Sequence, residues 1–212
     1  MTSVYPKSSS GRARPSPVIS DAGDGDADDK RARILGAAQR LFLRYGVKRT
    51  SIDDVAREAA IAKGTVYLYY ESKNDLFAAV YERLCSDILS TARQTLHQEK
   101  PLTERLVDFL DSYIGHMHRL VAHSPHVAEL TESKEALVTT VYASFDLQMK
   151  GLIRTALNES GITRKGAADM LLAAALGALR TGDIAENPYR ARLAALVETL
   201  VLGLQAKRKV SA

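Results

Sequence analysis

The segment Thr50-Ser51-Ile52-Asp53-Asp54-Val55-Ala56-Arg57-Glu58-Ala59-Ala60-Ile61-Ala62-Lys63-Gly64-Thr65-Val66-Tyr67-Leu68-Tyr69-Tyr70 reads as two short helices in close succession. Ile52, Val55, Ala56 and Ala59 recur at helical spacing, and Thr50 ahead of Ser51-Ile52-Asp53 predicts a threonine N-cap with an acid at N3. Only Ala60-Ile61-Ala62 separate this helix from Lys63 to Tyr69, a helix of about two turns. Such a pair is the helix-turn-helix arrangement, whose second helix enters the major groove of DNA. In that setting Lys63 and Thr65 face base edges or phosphates, and Gly64 lets the backbone approach the sugar-phosphate wall. Val66 and Tyr70, four apart, turn back into a small core. Tyr67 and Tyr69 can present a phenol to phosphate or a ring to a thymine methyl. Thr50 and the first N–H groups of the second helix offer donors to a phosphate, and Lys73 adds a further charge.

Outward from this segment, Ile34, Ala38, Leu41, Phe42 and Tyr45 give one apolar face to a first helix from about Asp29 to Tyr45, with Gly46 as its stop. On the other side Ser72 caps a long fourth helix with Asp75 at N3 and a stripe of Leu76, Val80, Leu84 and Ile88. The set Arg33-Ile34-Leu35, Ala37-Ala38, Leu41-Phe42, Gly46, Thr50-Ser51-Ile52, Val55-Ala56, Ala59, Lys63-Gly64-Thr65-Val66-Tyr67, Tyr70, Ser72-Lys73 and Asp75-Leu76-Phe77 resembles the DNA-binding domain of TetR/AcrR-type transcriptional repressors. The resemblance covers residues 30 to 80. It implies that Thr50, Lys63, Gly64, Thr65, Tyr67, Tyr69 and Lys73 are the DNA-contacting positions. Two positions depart from the family pattern: Ala60 stands where glycine is usual in the turn, and Ala62 where Ser or Thr usually precedes the third helix. Ala62 cannot cap, a loss of about 1 kcal/mol. Affinity is therefore expected to lean on Lys63 and on the Arg33, Arg40 and Arg44 side of the first helix.

Charge distribution agrees with a polyanion partner. The 212 residues hold 29 Lys plus Arg against 25 Asp plus Glu. Lys30 to Lys73 contains ten basic residues against four acids, a net of +6, whereas residues 1 to 29 carry −2 and residues 74 to 212 carry 0. Residues 1 to 28 are rich in Ser, Pro, Gly and Asp, have no apolar signal-peptide core and read as a disordered tail. A single cysteine excludes an internal disulfide framework and points to a reducing, cytoplasmic setting. The longest apolar run, Met170 to Leu179, is about half of the ~20 residues that span a membrane, so no membrane partner is expected.

The remaining chain shows no sustained strand periodicity. It divides into helices near residues 102–123, 126–131, 133–159, 163–181 and 188–207, with Asn187 capping the last and Pro188 at its first position. The last two helices are apolar nearly all round. A helix with two apolar faces needs its own core and a second surface, which points to a homodimer through Leu172, Leu176, Leu179, Leu196, Leu200 and Leu204. Phe109, Tyr113 and Met117, with Tyr142, Phe145 and Met149, form aromatic and methionine stripes that read as core. In regulators of the resembling family the effector pocket is carved from this core. His116, His118, His123 and His126 lack an i, i+4 pair with a nearby acid, so they are not read as a metal site. No nucleophile set, paired-carboxylate motif or phosphate-cradling glycine loop appears, which disfavours an enzyme and implies no cofactor.

The sequence thus predicts an all-α chain. It has a tail over 1–28, a three-helix DNA-binding head over 29–73 and a helical effector-binding and dimerisation body over 74–212. The function expected is a homodimeric repressor that leaves a palindromic operator on double-stranded DNA when a small apolar or aromatic effector binds. The alternative is a DNA-bound structural or interaction protein without an effector.

Overall fold

The computed structural model describes residues 22–180 and 188–206, which form helices and no strand. In chain order these are α1 (Ala22–Tyr45), α2 (Ile52–Glu58), α3 (Lys63–Tyr69), α4 (Lys73–Leu96), α5 (Leu102–Leu110), a π-helical stretch (Asp111–Gly115), α6 (His116–Ala122), α7 (Val127–Leu137), α8 (Thr139–Glu159), α9 (Ala167–Arg180) and α10 (Pro188–Ala206). The first helix corrects the expected tail, because residues 22–28 are already helical; residues 1–21 lie outside the described part. Along it Asp26 pairs with Lys30 and Asp29 with Arg33 one turn on.

The second helix also starts one residue later than its sequence suggests. Ser51, not Thr50, is its N-cap: the Ser51 hydroxyl accepts the Asp54 N–H at 3.1 Å and the Asp54 carboxylate accepts the Ser51 N–H at 3.0 Å. Between α2 and α3 the chain turns through Ala60 at φ 51, the left-handed conformation in which glycine is at ease and a Cβ is crowded. Ala62 opens α3 without any side-chain cap. Gly46 ends α1 at φ +82, and its N–H donates to the Phe42 carbonyl at 3.0 Å.

α4 is the spine shared by head and body. Near its start Leu76 and Phe77 are buried in the head, where Phe77 meets Phe42 of α1 edge to face at 5.6 Å. Further along, Val80, Tyr81, Cys85, Ile88, Ala92 and Leu96 are buried as α4 packs on α5 and α8. Along α4 the buried residues of head and body form one continuous core. One more boundary shifts: the break expected near Ser133 falls at Val138, inside the β-branched run Val138-Thr139-Thr140-Val141, where helix propensity is poor. α9 begins at Ala167, after Gly166 at φ +81, rather than at Thr163. Asn187, the expected cap of α10, lies outside the described residues. α10 packs on the body through Leu193, Val197 and Val201, and near its start Arg190 pairs with Asp108 and with Asp111 at 3.3 Å, while Asp108 also meets Lys100 at 2.8 Å and Asp111 meets Arg119 at 2.8 Å.

Ala60→Gly should raise stability in urea unfolding by about 1–2 kcal/mol, the usual cost of an L-residue in that conformation. A lower or unchanged midpoint would show that the turn is not left-handed at this position.

Candidate nucleic-acid interface

The geometry of α3 follows from which side of it the small core claims. Val66 and the following Tyr70 are buried against the head. Lys63, Gly64, Tyr67 and Leu68 consequently share one outward face, with Tyr67 46% and Leu68 84% exposed. The space where a Gly64 Cβ would stand is open, so a flat polymer can approach the backbone there. The Lys63 ammonium rests on Asp53 of α2 at 2.8 Å, which raises its pKa and keeps it charged. That pair is solvent-exposed, and such pairs are weak enough to exchange for a phosphate. Ala62 offers the first N–H groups of α3 no side-chain cap.

Other expected contact residues are turned elsewhere. Thr50 is buried, and its hydroxyl donates to the Gly46 carbonyl at 2.8 Å, so it fastens the α1–α2 loop instead of facing out. The N-terminus of α2 is already served by its own Ser51–Asp54 box. Tyr69 is half-buried and its phenol donates to the Ala27 carbonyl of α1 at 3.3 Å. Thr65 lies half-buried on the flank of the exposed face. The Lys73 ammonium donates to the Lys48 carbonyl at 3.3 Å, beside the loop that leads into α2. On α1, Arg33 donates to the Ala59 and Ala60 carbonyls at 2.7 and 3.0 Å, and Arg40 pairs with Glu58 at 3.0 Å. Both arginines therefore hold α1 on α2. Arg44 stands over the ring of Tyr45 at 5.2 Å and remains exposed.

Leu68 is the outward residue the sequence reading passed over. Its spacing of four from Gly64 puts it on the exposed side of α3.

In the body, the six stripe residues do not line one cavity. Phe109 and Met149 are fully buried, and Phe145 packs edge-on against Tyr113 at 5.1 Å. Tyr113, Met117 and Tyr142 line a cavity of about 190 Å³ that Leu176 and Leu179 also border, whereas Phe145 lines a different one. Burial raises the pKa of the Tyr113 phenol, so it stays neutral. Among the described residues no three His, Cys, Asp or Glu side chains converge as metal ligands, and no helix is long and apolar enough to cross a membrane. Of the expected dimer residues, Leu172 and Leu204 are buried in the chain's own core and Leu179 and Leu200 half-buried. Leu176 and Leu196 are exposed, joined by Met170 and Leu202, which the sequence reading did not name.

The carboxylate of Asp54, hydrogen-bonded by the Ser51 hydroxyl and N–H and close to Arg57, is held below the ordinary aspartate pKa. A folded pKa lowered in this way contributes stability above the unfolded value, and the contribution is lost as pH falls through the folded one. Carboxyl NMR titration should find the Asp54 midpoint below the usual aspartate range and moving up to it in Ser51→Ala. An ordinary midpoint in the unaltered chain would remove the capping box.

Comparison with known proteins agrees with this geometry. Residues 34–80 match the family described as bacterial regulatory proteins, tetR family. The repressor SCO4008 of Streptomyces coelicolor is 30% identical over 140 residues, 62% of this chain and 71% of that protein. The regulator AcrR of Shigella flexneri is 32% identical over 99 residues, 44% of this chain and 46% of that protein. The chain spans about half the length of the curated relatives it matches most strongly, from 41% to 59%. A solved transcriptional regulator from a Rhodococcus species superposes with a TM-score of 0.64 at 16% identity, over 82% of this chain and 96% of that one. The head motif, the helical body behind it and the length of the match with SCO4008 together make this chain a member of the TetR family of transcriptional regulators.

Proposed function

We propose that the chain binds double-stranded DNA as a homodimer in the cytoplasm, acting as a repressor that a small apolar or aromatic effector releases from a pseudo-palindromic operator. The observation that carries the DNA reading is the outward face of α3, where Lys63, Gly64, Tyr67 and Leu68 stand together within the stretch Lys30–Lys73 of net charge +6. Lys63 supplies a donor for base edges, and Tyr67 a phenol for the phosphate wall. Leu68 brings an apolar surface suited to the C5-methyl of thymine. The repressor SCO4008 supports the negative sign of regulation, whereas the similar FasR of Mycolicibacterium smegmatis is an activator; transcription from an operator-linked reporter decides between the two.

The outer surface of α9 and α10 supports the dimer. Leu176 and Leu202 are 49% and 57% exposed, with Met170 and Leu196 also bare, and small residues Ala173, Gly177, Ala195 and Gly203 lie exposed among them. Small residues let a second helix pair approach closely, and the apolar patch gives that approach a driving force. Two heads so joined would present recognition helices about 34–36 Å apart, one turn of DNA. The cavity beside Tyr113, Met117 and Tyr142 gives the effector a place next to this dimer face, so effector binding and head spacing can be linked through differential affinity.

With about six to ten phosphate contacts, operator affinity should fall by about three to five orders of magnitude between 50 and 200 mM salt. Lys63→Ala should weaken binding and alter base preference, and Leu68→Ala should lose about 1–3 kcal/mol at a thymine-containing pair while sparing variants that lack it. Flat salt dependence, or uniform losses across all operator variants, would refute base reading by this face.

Leu176→Glu and Leu202→Glu should give folded monomers that fail on a full operator, because both positions are open in the single chain yet closed in the dimer. Dimeric sedimentation of both variants would place the interface elsewhere.

A further inference from the structure

Asp53 is an acid standing beside the outward face of α3, in the most basic part of the chain. The two other acids of α2 are engaged within the head: Asp54 closes the Ser51 cap and Glu58 pairs with Arg40. Asp53 instead reaches from the first turn of α2 to the first residue of α3, where its carboxylate accepts a hydrogen bond from the Lys63 ammonium at 2.8 Å. Both side chains stay half open to solvent, so one partner can reach the two together. Exposed ion pairs stabilise a fold little, whereas a carboxylate facing phosphates weakens association with them. The fold alone therefore does not account for an acid at this place.

We propose that Asp53 and Lys63 act as one unit that reads a G·C base pair in the major groove, the ammonium donating to guanine and the carboxylate accepting from cytosine. The guanine O6 and the cytosine N4 of one pair stand side by side, joined by a hydrogen bond of about 2.9 Å. Towards the groove O6 presents an acceptor and N4 a second N–H. An ammonium and a carboxylate at 2.8 Å repeat that spacing with the opposite polarity. A T·A pair also sets an acceptor, the thymine O4, beside a donor, the adenine N6, but it fits less well at both ends. Guanine offers the ammonium N7 as well as O6, whereas thymine offers O4 alone. Adenine carries its N7 acceptor next to N6, which repels a carboxylate, whereas cytosine has only a C–H beside N4. Within the groove each member of the unit keeps the other paired, so neither charge is left bare when water is displaced. The assignment rests on the DNA reading proposed above and deepens it, by naming a base pair and by adding a residue of α2 to those that read it.

The probe is a pool of random double-stranded DNA, from which the full chain selects its operator. Each half-site should hold one G·C pair whose replacement by T·A lowers affinity about ten-fold. N4-methylcytosine at that pair keeps the Watson–Crick hydrogen bonds but sets a methyl group where the carboxylate accepts. In one half-site it should lower the affinity of the unaltered chain by about the same factor. In Asp53→Ala, with helicity retained by circular dichroism, the same methyl group should change affinity by less than about two-fold, and the preference for G·C over T·A should fall. An ion pair that only braced the head would not make the effect of a methyl group on DNA depend on Asp53. An operator whose G·C pairs all tolerate N4-methylation would overturn the reading unit, and is the result expected if the pair opens and Lys63 takes a phosphate. A methyl effect as large in Asp53→Ala as in the unaltered chain would overturn it too. The measurement on the unaltered chain decides even where the variant fails to fold. A pool from which no duplex is enriched would instead refute the DNA reading itself, and the role of Asp53 with it.

Discussion

The edge-to-face contact of Phe42 with Phe77 is the joint on which the rest of the molecule turns. An aromatic pair of this kind adds about 0.5–1.5 kcal/mol beyond the area it buries, but its position matters more than its energy. It locks α1 to the first turns of α4, and α4 then carries one unbroken apolar stripe from the head into the body. Head and body share a helix and a contiguous core rather than a flexible linker.

Around that joint the head spends most of its polar side chains on holding itself together. Arg33 and Arg40 fasten α1 to the end of α2, Thr50 ties the loop to Gly46, and Tyr69 reaches back to Ala27. Each of these groups is of a type that could meet a phosphate; Thr50 and Tyr69 are committed inside the chain, whereas Arg40 keeps an exposed ion pair like that of Lys63. What remains outward on α3 is small, one ammonium, one phenol, one leucine and a bare stretch of backbone at Gly64. The turn that sets α3 in place does so at a local cost, with Ala60 left-handed and Ala62 unable to cap. Packing of Val66 and Tyr70 into the head offsets it, so the recognition helix depends on tertiary contacts more than on its own sequence.

In the body the same division between inner and outer surfaces recurs. α9 and α10 are apolar on both sides, but only one side of each faces the α5 and α8 layers: Leu171, Ala175, Leu193 and Val197 are fully buried there. The other side is left bare. The Arg190 pairings with Asp108 and Asp111 add ion pairs between the start of α10 and the end of α5.

The sequence by itself determined the class of fold, the helix-turn-helix, the stop at Gly46 and the Ser72 cap of α4, while the turn between α2 and α3 came out one residue longer, at 59–62, than the three residues its pattern suggests. These depend on spacing and on local hydrogen bonds, both of which the order of residues specifies directly. It also located the charged module, since charge is additive along the chain. Only the tertiary structure decided which polar groups were left over for a partner. Thr50 and Tyr69 look as available as Lys63 until their acceptors, the carbonyls of Gly46 and Ala27, are seen beside them. Likewise, periodicity marks Leu172 and Leu176 alike as apolar, but the hand of the helix against its neighbours buries the first and exposes the second.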